Sequence, residues 1–277
     1  MRILYFSDIH CEIRAFETRI PWTDVYPLDL GPCLTPWVGQ ADLVILSGDV
    51  ATARPERGVD TLRYAQQVSE FLGCPVVVVP GNHEYYGGVF EEDREALLGA
   101  GIEGVTVLDR GARTFEKDGT AVRILGATLW TDYRCNGDQH LSMLEARAAM
   151  NDHRRIRMHD GRLFLPQDAL EEHLASRAWL AAQLDIPHDG PTVIVTHHVP
   201  HSAGRNPAYG MNRLSGAFYS DCDDLVNKAI EKKASAFIFG HHHYSLDIEL
   251  GGLRLLSAQA GYPRENTGWT GPGLLVV

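Results

Sequence analysis

ILYFSDIH, residues 3–10, shows the pattern that decides the fold: a short apolar run that ends in polar side chains able to do chemistry. The pattern returns in LVILSGD (43–49), VVVVPGNHE (76–84), VIVTHH (193–198) and AFIFGHHH (236–243). Short runs rich in Val, Ile and Leu are typical of strands buried on both faces of a sheet. We therefore predict strands at Ile3–Phe6, Leu43–Leu46, Val76–Val79 and Val193–Val195.

Helical spacing of apolar residues separates these runs. It predicts helices at Val59–Leu72, Glu145–Asn151, Pro166–Leu184 and Asp221–Lys233. Strand follows strand after Ala234, where Gly251-Gly252 suits a tight hairpin turn, and also mid-chain at Val105–Asp109, Arg113–Glu116 and Ala121–Trp130. The combination predicts an α/β fold in which two mixed β-sheets pack face to face and helices flank them.

Composition restricts the partners of the chain. At 277 residues it can bury a full core, and we expect one domain over residues 1–277. Its net charge of -11 disfavours long nucleic acid as a partner. The five cysteines lack CxxC spacing, which favours reduced thiols, and no apolar run approaches the roughly 20 residues that cross a bilayer. Because the first strand starts almost at once, we expect no secretory leader, no membrane partner and a cytoplasmic location.

The five strand ends carry side chains that can ligate metal ions. Each strand end by itself is weak evidence for a metal site, because a single Asp can cap a helix and a single buried His is usually a core residue. Parallel strands would bring these ends to one sheet edge, where carboxylates, an amide and at least four imidazoles suffice for two ions. Nitrogen and oxygen ligands without thiolate favour Mn, Fe or Zn.

The order DxH, GD, GNHE, H and GHxH, from Asp8 to His243, resembles the calcineurin-like metallophosphoesterase superfamily. The resemblance implies a four-layer αββα sandwich and a hydrolase that cleaves phosphate esters with two divalent or trivalent metal ions. Asp49 would bridge the ions, since a carboxylate can offset the repulsion between two cations. The resemblance assigns Asp8, His10 and His243 to one ion and Asn82, His197 and His241 to the other.

The resemblance also implies a mechanism. Two ions would lower the pKa of a shared water, and the resulting hydroxide would attack phosphorus without a side-chain nucleophile. His83 resembles the acid of the family, which protonates the leaving oxygen, and Glu84 is expected to orient it. His198 and His242 are left out of the ligand set, because His197 comes first after its strand and the middle position of GHxH alternates away.

One branch of the superfamily is disfavoured. Protein serine/threonine phosphatases follow their second motif with an Asp that partners the acid histidine and an Arg that grips phosphate. In GDVATARP, Thr52 and Ala53 occupy those places and Arg54 is one residue off. Arg154 and Arg205 are therefore the candidate substrate-binding residues, although a run such as RRIR around Arg154 is more often a solvated helical face.

A missing arginine clamp favours a substrate with one negative charge, such as a small-molecule or cyclic-nucleotide phosphodiester. Residues 11–40 and 198–220 follow strand ends and are candidate substrate walls. Aromatic side chains that could stack on a base, or simply pack, are Trp22, Tyr26, Trp37, Tyr85 and Tyr86. The alternatives are a phosphomonoesterase or nuclease of the same superfamily, or a non-catalytic metal-binding scaffold that kept the fold.

Overall fold

Two mixed β-sheets form the centre of the molecule in the computed structural model, which describes residues 1–13, 31–52 and 60–277. The strands of the first sheet are β1 (Arg2–Phe6), β2 (Leu43–Leu46), β3 (Val76–Val78), β4 (Val105–Val107) and β11 (Gly273–Val276). The strands of the second are β5 (Gly111–Lys117), β6 (Thr120–Ala127), β7 (Thr192–Thr196), β8 (Ala236–Ile238), β9 (Leu246–Leu250) and β10 (Leu253–Ser257). The predicted pair of mixed sheets is confirmed.

Parallel pairing dominates both sheets and antiparallel strands lie at their edges. The strand order is β11-β1-β2-β3-β4 in the first sheet and β5-β6-β7-β8-β10-β9 in the second. Strands β1 to β4 pair in parallel, as do β6, β7, β8 and β10, whereas β11, β5 and β9 pair antiparallel with their neighbours. The carboxyl ends of β1, β2 and β3 therefore leave one sheet together, and those of β7 and β8 leave the other together.

Helices flank the sheets. They are α1 (Gly31–Leu34), α2 (Thr61–Leu72), α3 (Phe90–Gly99), α4 (Gln139–Ala149), α5 (Asp152–Arg155), α6 (Pro166–Asp185) and α7 (Asp223–Glu231). Short 3-10 helices span Thr35–Trp37, His83–Tyr85, Ser202–Gly204 and Arg213–Ala217. Within the described ranges, none of the helices has the length and apolar character needed to cross a membrane.

Helix α7 is shorter than the predicted Asp221–Lys233 at both ends, and the starts of two other helices differ from the predicted ones because of polar caps. Helix α2 begins at Thr61, because the Asp60 carboxylate caps it by accepting the amide of Arg63 at 2.7 Å. The helix predicted from Glu145 begins earlier, at Gln139, where Asp138 caps it by accepting the amide of Leu141 at 3.0 Å. Polar caps decide both starts, and the apolar periodicity alone does not show them.

The sheets face each other across a shared apolar core. Ile3 of β1 and Ile124 of β6 are fully buried in the same cluster. The next residue of β6, Leu125, faces the opposite side and packs in a second cluster with Leu180 of α6. Burial on both faces explains the apolar runs Ile124–Leu125 of β6 and Val193–Val195 of β7.

Candidate active site

The five polar strand ends meet at one edge of the two sheets. Asp8, Asp49 and Asn82 follow β1, β2 and β3, while His197 and His241 follow β7 and β8 of the facing sheet. Backbone hydrogen bonds connect the loops: the amide of His10 donates to the carbonyl of Asp49 at 3.0 Å, and that of Gly240 donates to the carbonyl of His197 at 2.9 Å. The parallel order thus positions the predicted residues together.

Gly48 allows this close approach. Its φ is 91°, and its carbonyl accepts the amide of Asp8 at 3.0 Å. A β-carbon at this position would collide with the imidazole of His197. Glycine at position 48 therefore has a physical cause in the site itself.

The backbone of the site is strained. The φ angles are 56° at Asp8, 50° at His10, 52° at Asp49, 70° at His241 and 44° at His243. Residues with a β-carbon rarely adopt this left-handed region, and such strain concentrates at functional sites because the surrounding structure must enforce it. Five strained residues in one cluster favour a functional role over a purely structural one.

Asp8, His10 and His243 form one group of converging ligand atoms. The Nε2 atoms of His10 and His243 lie 3.0 Å apart, and His243 Nε2 lies 3.5 Å from Asp8 Oδ1. The other ring nitrogen of His243, Nδ1, lies 2.6 Å from Glu265 Oε2. A carboxylate only accepts, so Nδ1 carries a proton and Nε2 is directed at the group. Carboxylates support metal-ligating histidines in this way.

Asp49, Asn82, His197 and His241 form a second group. His197 Nε2 lies 3.1 Å from Asn82 Oδ1, 3.1 Å from His241 Nδ1 and 3.3 Å from Asp49 Oδ1. The Nδ1 atom of His197 donates to the carbonyl of Ser47 at 2.9 Å, which leaves the Nε2 lone pair facing the group. Two lone pairs and two acceptor oxygens this close repel one another unless a proton or a cation lies between them.

The electrostatics of the site fit bound metal ions. Burial alone would lower the pKa of His197 and His243, but Asp49 raises that of His197 to about 9, and Asp8 and Glu265 raise that of His243 to about 10. The described residues that line the cavity above the site include no Lys or Arg. The carboxylates therefore attract positive charge onto the imidazoles, and a metal ion is the natural source of that charge where the donors are imidazole nitrogen and carboxylate or amide oxygen.

His83 lies beside both groups with its Nε2 atom at the cavity. Nε2 is 3.8 Å from Asp49 Oδ2 and 3.4 Å from the hydroxyl of Tyr262, while Nδ1 is 2.8 Å from Glu12 Oε1. Burial alone would lower the pKa of His83, but the carboxylates of Asp49 and Glu12 outweigh it and raise the pKa. The ring can therefore present a proton toward the cavity.

Glu84 does not orient His83, which corrects the expectation from the sequence. Its carboxylate accepts the amides of Asp49 at 3.0 Å, Val50 at 2.9 Å and Gly81 at 2.7 Å, and the hydroxyl of Thr61 at 2.9 Å. The 3-10 helix that begins at His83 turns the next side chain back under the loops. Glu84 joins the β2 and β3 loops, and the carboxylate that contacts the His83 ring is that of Glu12.

The amide of Asn82 is held by two further side chains. Its Nδ2 atom donates to Asp152 Oδ1 at 2.8 Å and to the hydroxyl of Tyr86 at 2.9 Å, and that hydroxyl donates to the same Asp152 oxygen at 2.6 Å. With Nδ2 engaged, Oδ1 faces His197. This network selects the amide orientation that a metal ligand requires.

A cavity of about 420 Å³ opens above these groups, a size suited to a small molecule. Tyr86, Tyr262 and Glu265 line it together with Asn82, His83 and the three histidines after β8. The predicted wall over residues 198–220 contributes Tyr209, Asn212, Leu214, Ser215 and Phe218.

The two arginines expected to bind substrate lie elsewhere. Neither Arg154, which is exposed, nor Arg205, which is half-buried, is among the described residues that line the cavity. A neighbour of the first, Arg155, is exposed and places its guanidinium carbon 5.0 Å from the ring centre of Tyr86, but it is not among the lining residues either. The cavity wall therefore lacks a guanidinium clamp within the described part of the chain.

The predicted aromatic candidates separate into three groups. Tyr86 lines the cavity, whereas Tyr85 is fully buried in an apolar cluster with Phe90 and Trp37 packs against the large apolar cluster that contains Ile3. Trp22 and Tyr26 lie outside the described residues, as do Ala53 and Arg54 of the second motif.

His198 and His242, which the sequence left out of the ligand set, direct their Nδ1 atoms at backbone groups. His198 Nδ1 faces the carbonyl of Thr128 at 3.3 Å, and its ring packs 5.2 Å from that of Trp130. His242 Nδ1 accepts the amide of Asn206 at 3.0 Å and thereby anchors the 198–220 wall.

Four functional candidates escaped the sequence analysis: Glu12, Asp152, Tyr262 and Glu265. Glu12 had a weak signal, because it follows the first motif directly in DIHCE. The other three have no local signal, since they lie on helix α5 or on the irregular segment between β10 and β11. Only their contacts with Asn82, His83 and His243 reveal them.

Comparison with known proteins agrees with this geometry. An uncharacterized protein of Acanthamoeba polyphaga mimivirus is 23% identical over 282 residues, which covers 96% of this chain and 93% of that protein. A phosphopantetheinyl hydrolase of Mycobacterium tuberculosis has the same fold with a TM-score of 0.70 and 17% identity, over 99% of this chain and 95% of that one. A dimetal phosphatase from Danio rerio gives a TM-score of 0.55 and 15% identity, over 99% and 91% of the two chains.

The family model described as calcineurin-like phosphoesterase matches residues 1–245. That range contains every strand end of the site and leaves out Tyr262 and Glu265. The motif order, the two facing sheets and this match agree: the chain belongs to the calcineurin-like phosphoesterase family.

Proposed function

We propose that this chain acts as a single domain over residues 1–277 and hydrolyses small phosphodiesters with two metal ions. The observation that carries the proposal is the pair of ligand groups at the base of one cavity. Asp8, His10 and His243 would hold one ion, and Asn82, His197 and His241 the other. The ligand chemistry favours Mn, Fe or Zn.

Asp49 is proposed as the ligand shared by both ions. It follows β2, which lies between β1 and β3 in the first sheet, so it lies between Asp8 and Asn82. Its Oδ1 atom already lies 3.3 Å from His197 Nε2.

When bound, the ions would activate water as the nucleophile and neutralise charge on the phosphoryl group. The residues of the chain orient and transfer protons. Glu265 and the Ser47 carbonyl fix the rings of His243 and His197. His83 presents Nε2 to the cavity, where it can donate its proton to the leaving oxygen.

The charge of the cavity wall supports a diester over a monoester. Asp49 and Glu265 are the acidic residues among the described lining, which contains no Lys or Arg. A dianionic monoester would bring a second negative charge that no side-chain cation of this described lining receives, whereas a diester carries one negative charge. The aromatic lining of Tyr86, Tyr209 and Phe218 suits an uncharged organic group on the other ester oxygen.

The proposal is tested with chelator-stripped protein reloaded with Mn²⁺. We expect hydrolysis of bis(p-nitrophenyl) phosphate and of a cyclic nucleotide to exceed that of p-nitrophenyl phosphate in kcat/KM. A phosphopantetheinyl ester belongs in the panel because of the Mycobacterium tuberculosis neighbour. Asp49→Asn should abolish activity, whereas Asp189→Asn at an exposed position serves as the matched control.

Each alternative has its own outcome. Preference for the monoester would make the protein a phosphomonoesterase. Salt-sensitive affinity for oligonucleotides, with their hydrolysis, would make it a nuclease. A metal-loaded protein inactive on the whole panel would leave a non-catalytic scaffold, and activity that survives Asp49→Asn would contradict the proposed ligand set.

A further inference from the structure

Glu12 contacts the side of His83 that faces away from the cavity. Its Oε1 atom lies 2.8 Å from His83 Nδ1, and its side chain is largely buried. The opposite ring nitrogen, Nε2, lies 3.4 Å from the hydroxyl of Tyr262 and 3.8 Å from Asp49 Oδ2. The Nδ1 edge of the ring therefore contacts a carboxylate, and the Nε2 edge is directed at the place where a substrate would bind.

The chemistry of this contact sets the orientation of the imidazole. An ionised carboxylate only accepts hydrogen bonds, so His83 Nδ1 must carry a hydrogen in this pair. The ring also packs between Tyr86 at 4.2 Å and His10 at 4.4 Å between ring centres, which restricts its rotation. Nε2 is thereby held toward the cavity.

The segment that carries Glu12 is itself anchored in the site. The amide of His10 donates to the carbonyl of Asp49 at 3.0 Å, and the amide of Cys11 donates to that of Val50 at 2.9 Å. The amide of Ile13 closes the turn by donating to the carbonyl of His10 at 2.9 Å. Glu12 is therefore fixed to the same β2 loop that supplies Asp49.

The distances favour this contact with His83 over a role for Glu12 as a metal ligand together with His10 and His83. His10, Glu12 and His83 do place ligand atoms within 4.8 Å of one another. However, His10 Nδ1 is 3.7 Å from Glu12 Oε1, whereas the other nitrogen of His10 faces His243 at 3.0 Å. Among the residues that the structure describes, the contact of Glu12 at hydrogen-bond length is with His83.

From this geometry we infer that Glu12 is the positioning residue for His83 in transfer of a proton to the leaving group; the inference rests on the proposed hydrolysis. As the bond from phosphorus to the water oxygen forms, the bond to the leaving oxygen breaks and its electron pair stays on that oxygen. The proton on His83 Nε2 moves to the leaving oxygen, while the hydrogen on Nδ1 stays on that nitrogen and remains hydrogen-bonded to the Glu12 carboxylate. The proton released by the attacking water restores His83 through solvent.

The test is the dependence of kcat on the leaving group, measured on Mn²⁺-loaded protein. The substrates are aryl methyl phosphates whose phenols range from p-nitrophenol to unsubstituted phenol. A good leaving group needs no proton, so Glu12→Gln should lower kcat by less than about threefold when the leaving group is p-nitrophenol. With phenol we expect a loss of about 100-fold, within the range for general acid catalysis.

Two further variants make the test specific. Glu12→Asp keeps the charge on a shorter side chain and should recover part of the loss with phenol. Glu103→Gln, at an exposed position, is the matched control and should leave the whole series unchanged. Metal content and melting temperature are measured for each variant.

An equal loss across all leaving groups in Glu12→Gln, or a loss of bound metal, would overturn the positioning role. If Glu12→Gln does not fold, Glu12→Asp decides, because a positioning role requires its loss to grow with the basicity of the leaving group. Wild-type protein inactive on every diester would instead refute the proposed function, so the two failures are distinguishable.

Discussion

Replacing Asp152 by Asn is expected to weaken one of the two metal sites and leave the other intact. Asp152 is buried and uses a single oxygen, Oδ1, to accept both Asn82 Nδ2 at 2.8 Å and the hydroxyl of Tyr86 at 2.6 Å. Removing its charge weakens both bonds and permits the Asn82 amide to turn its nitrogen toward His197. The proposed ligand oxygen of Asn82 would then be lost from its ion.

The magnitude follows from the two bonds. A hydrogen bond to a charged group contributes about 1.5 to 3 kcal/mol, and one between neutral groups about 0.5 to 1.5 kcal/mol. Converting two charged bonds into neutral ones therefore costs about 2 kcal/mol. Since each factor of ten in affinity corresponds to about 1.4 kcal/mol, we expect the dissociation constant of the affected ion to rise 10- to 100-fold.

Isothermal titration of chelator-stripped protein with Mn²⁺ measures this effect. We expect two binding events in the wild type and, in Asp152→Asn, one unchanged and one weakened. Tyr86→Phe keeps the Asp152 charge and the direct bond from Asn82 to Asp152 but loses the bonds of the hydroxyl to both residues, and should fall between the two. Asp189→Asn should match the wild type. Two unchanged constants in Asp152→Asn would refute the reasoning, as would equal weakening of both.

Three further outcomes are expected. Glu84→Gln should lower the free energy of unfolding by about 1.5 to 3 kcal/mol in urea titrations, because the buried carboxylate accepts three amides of the site loops; an unchanged midpoint would show that these bonds contribute nothing. Burial would raise the pKa of Asp168, but its hydrogen bonds to Arg162 and to the Leu165 amide outweigh burial and lower the pKa. The ionised Asp168 carboxylate therefore stabilises the folded state above the ordinary Asp pKa of about 3.9. That contribution is lost as the pH falls through the lower pKa of the folded state. Asp168→Asn should accordingly lower the melting temperature at pH 7 and not below that folded pKa, and a deficit that persists there would contradict the electrostatic explanation. Removal of metal with a chelator should lower the melting temperature, because ions that bind only the folded state stabilise it by mass action. Added Mn²⁺ should restore the melting temperature in proportion to the logarithm of the Mn²⁺ concentration. A melting temperature that does not respond to Mn²⁺ would argue against the metal site.

The strand ends of the site could be predicted from sequence because their information is local. An apolar run that stops at Asp8, Asp49 or His197 marks both the end of a buried strand and the side chain presented there. Parallel pairing then brings these ends together without further detail, which is why the motif order sufficed for the fold.

Residues that act on the motif side chains could not be predicted in this way, because they come from distant parts of the chain. Glu12 and His83 are separated by 71 positions, and Asp152 and Asn82 by 70. The prediction that Glu84 orients its chain neighbour His83 was wrong, since a 3-10 turn directs the Glu84 carboxylate to backbone amides instead.

The family, the sheet architecture and the side chains at the strand ends could all be inferred from the amino-acid sequence, since strand periodicity and motif order encode them along the chain. Only the tertiary structure decided which carboxylates hold His83 and His243, how the Asn82 amide is oriented and that the described cavity wall lacks a cation. Those features depend on how loops from separate strands pack against one another, and local periodicity carries no record of that packing.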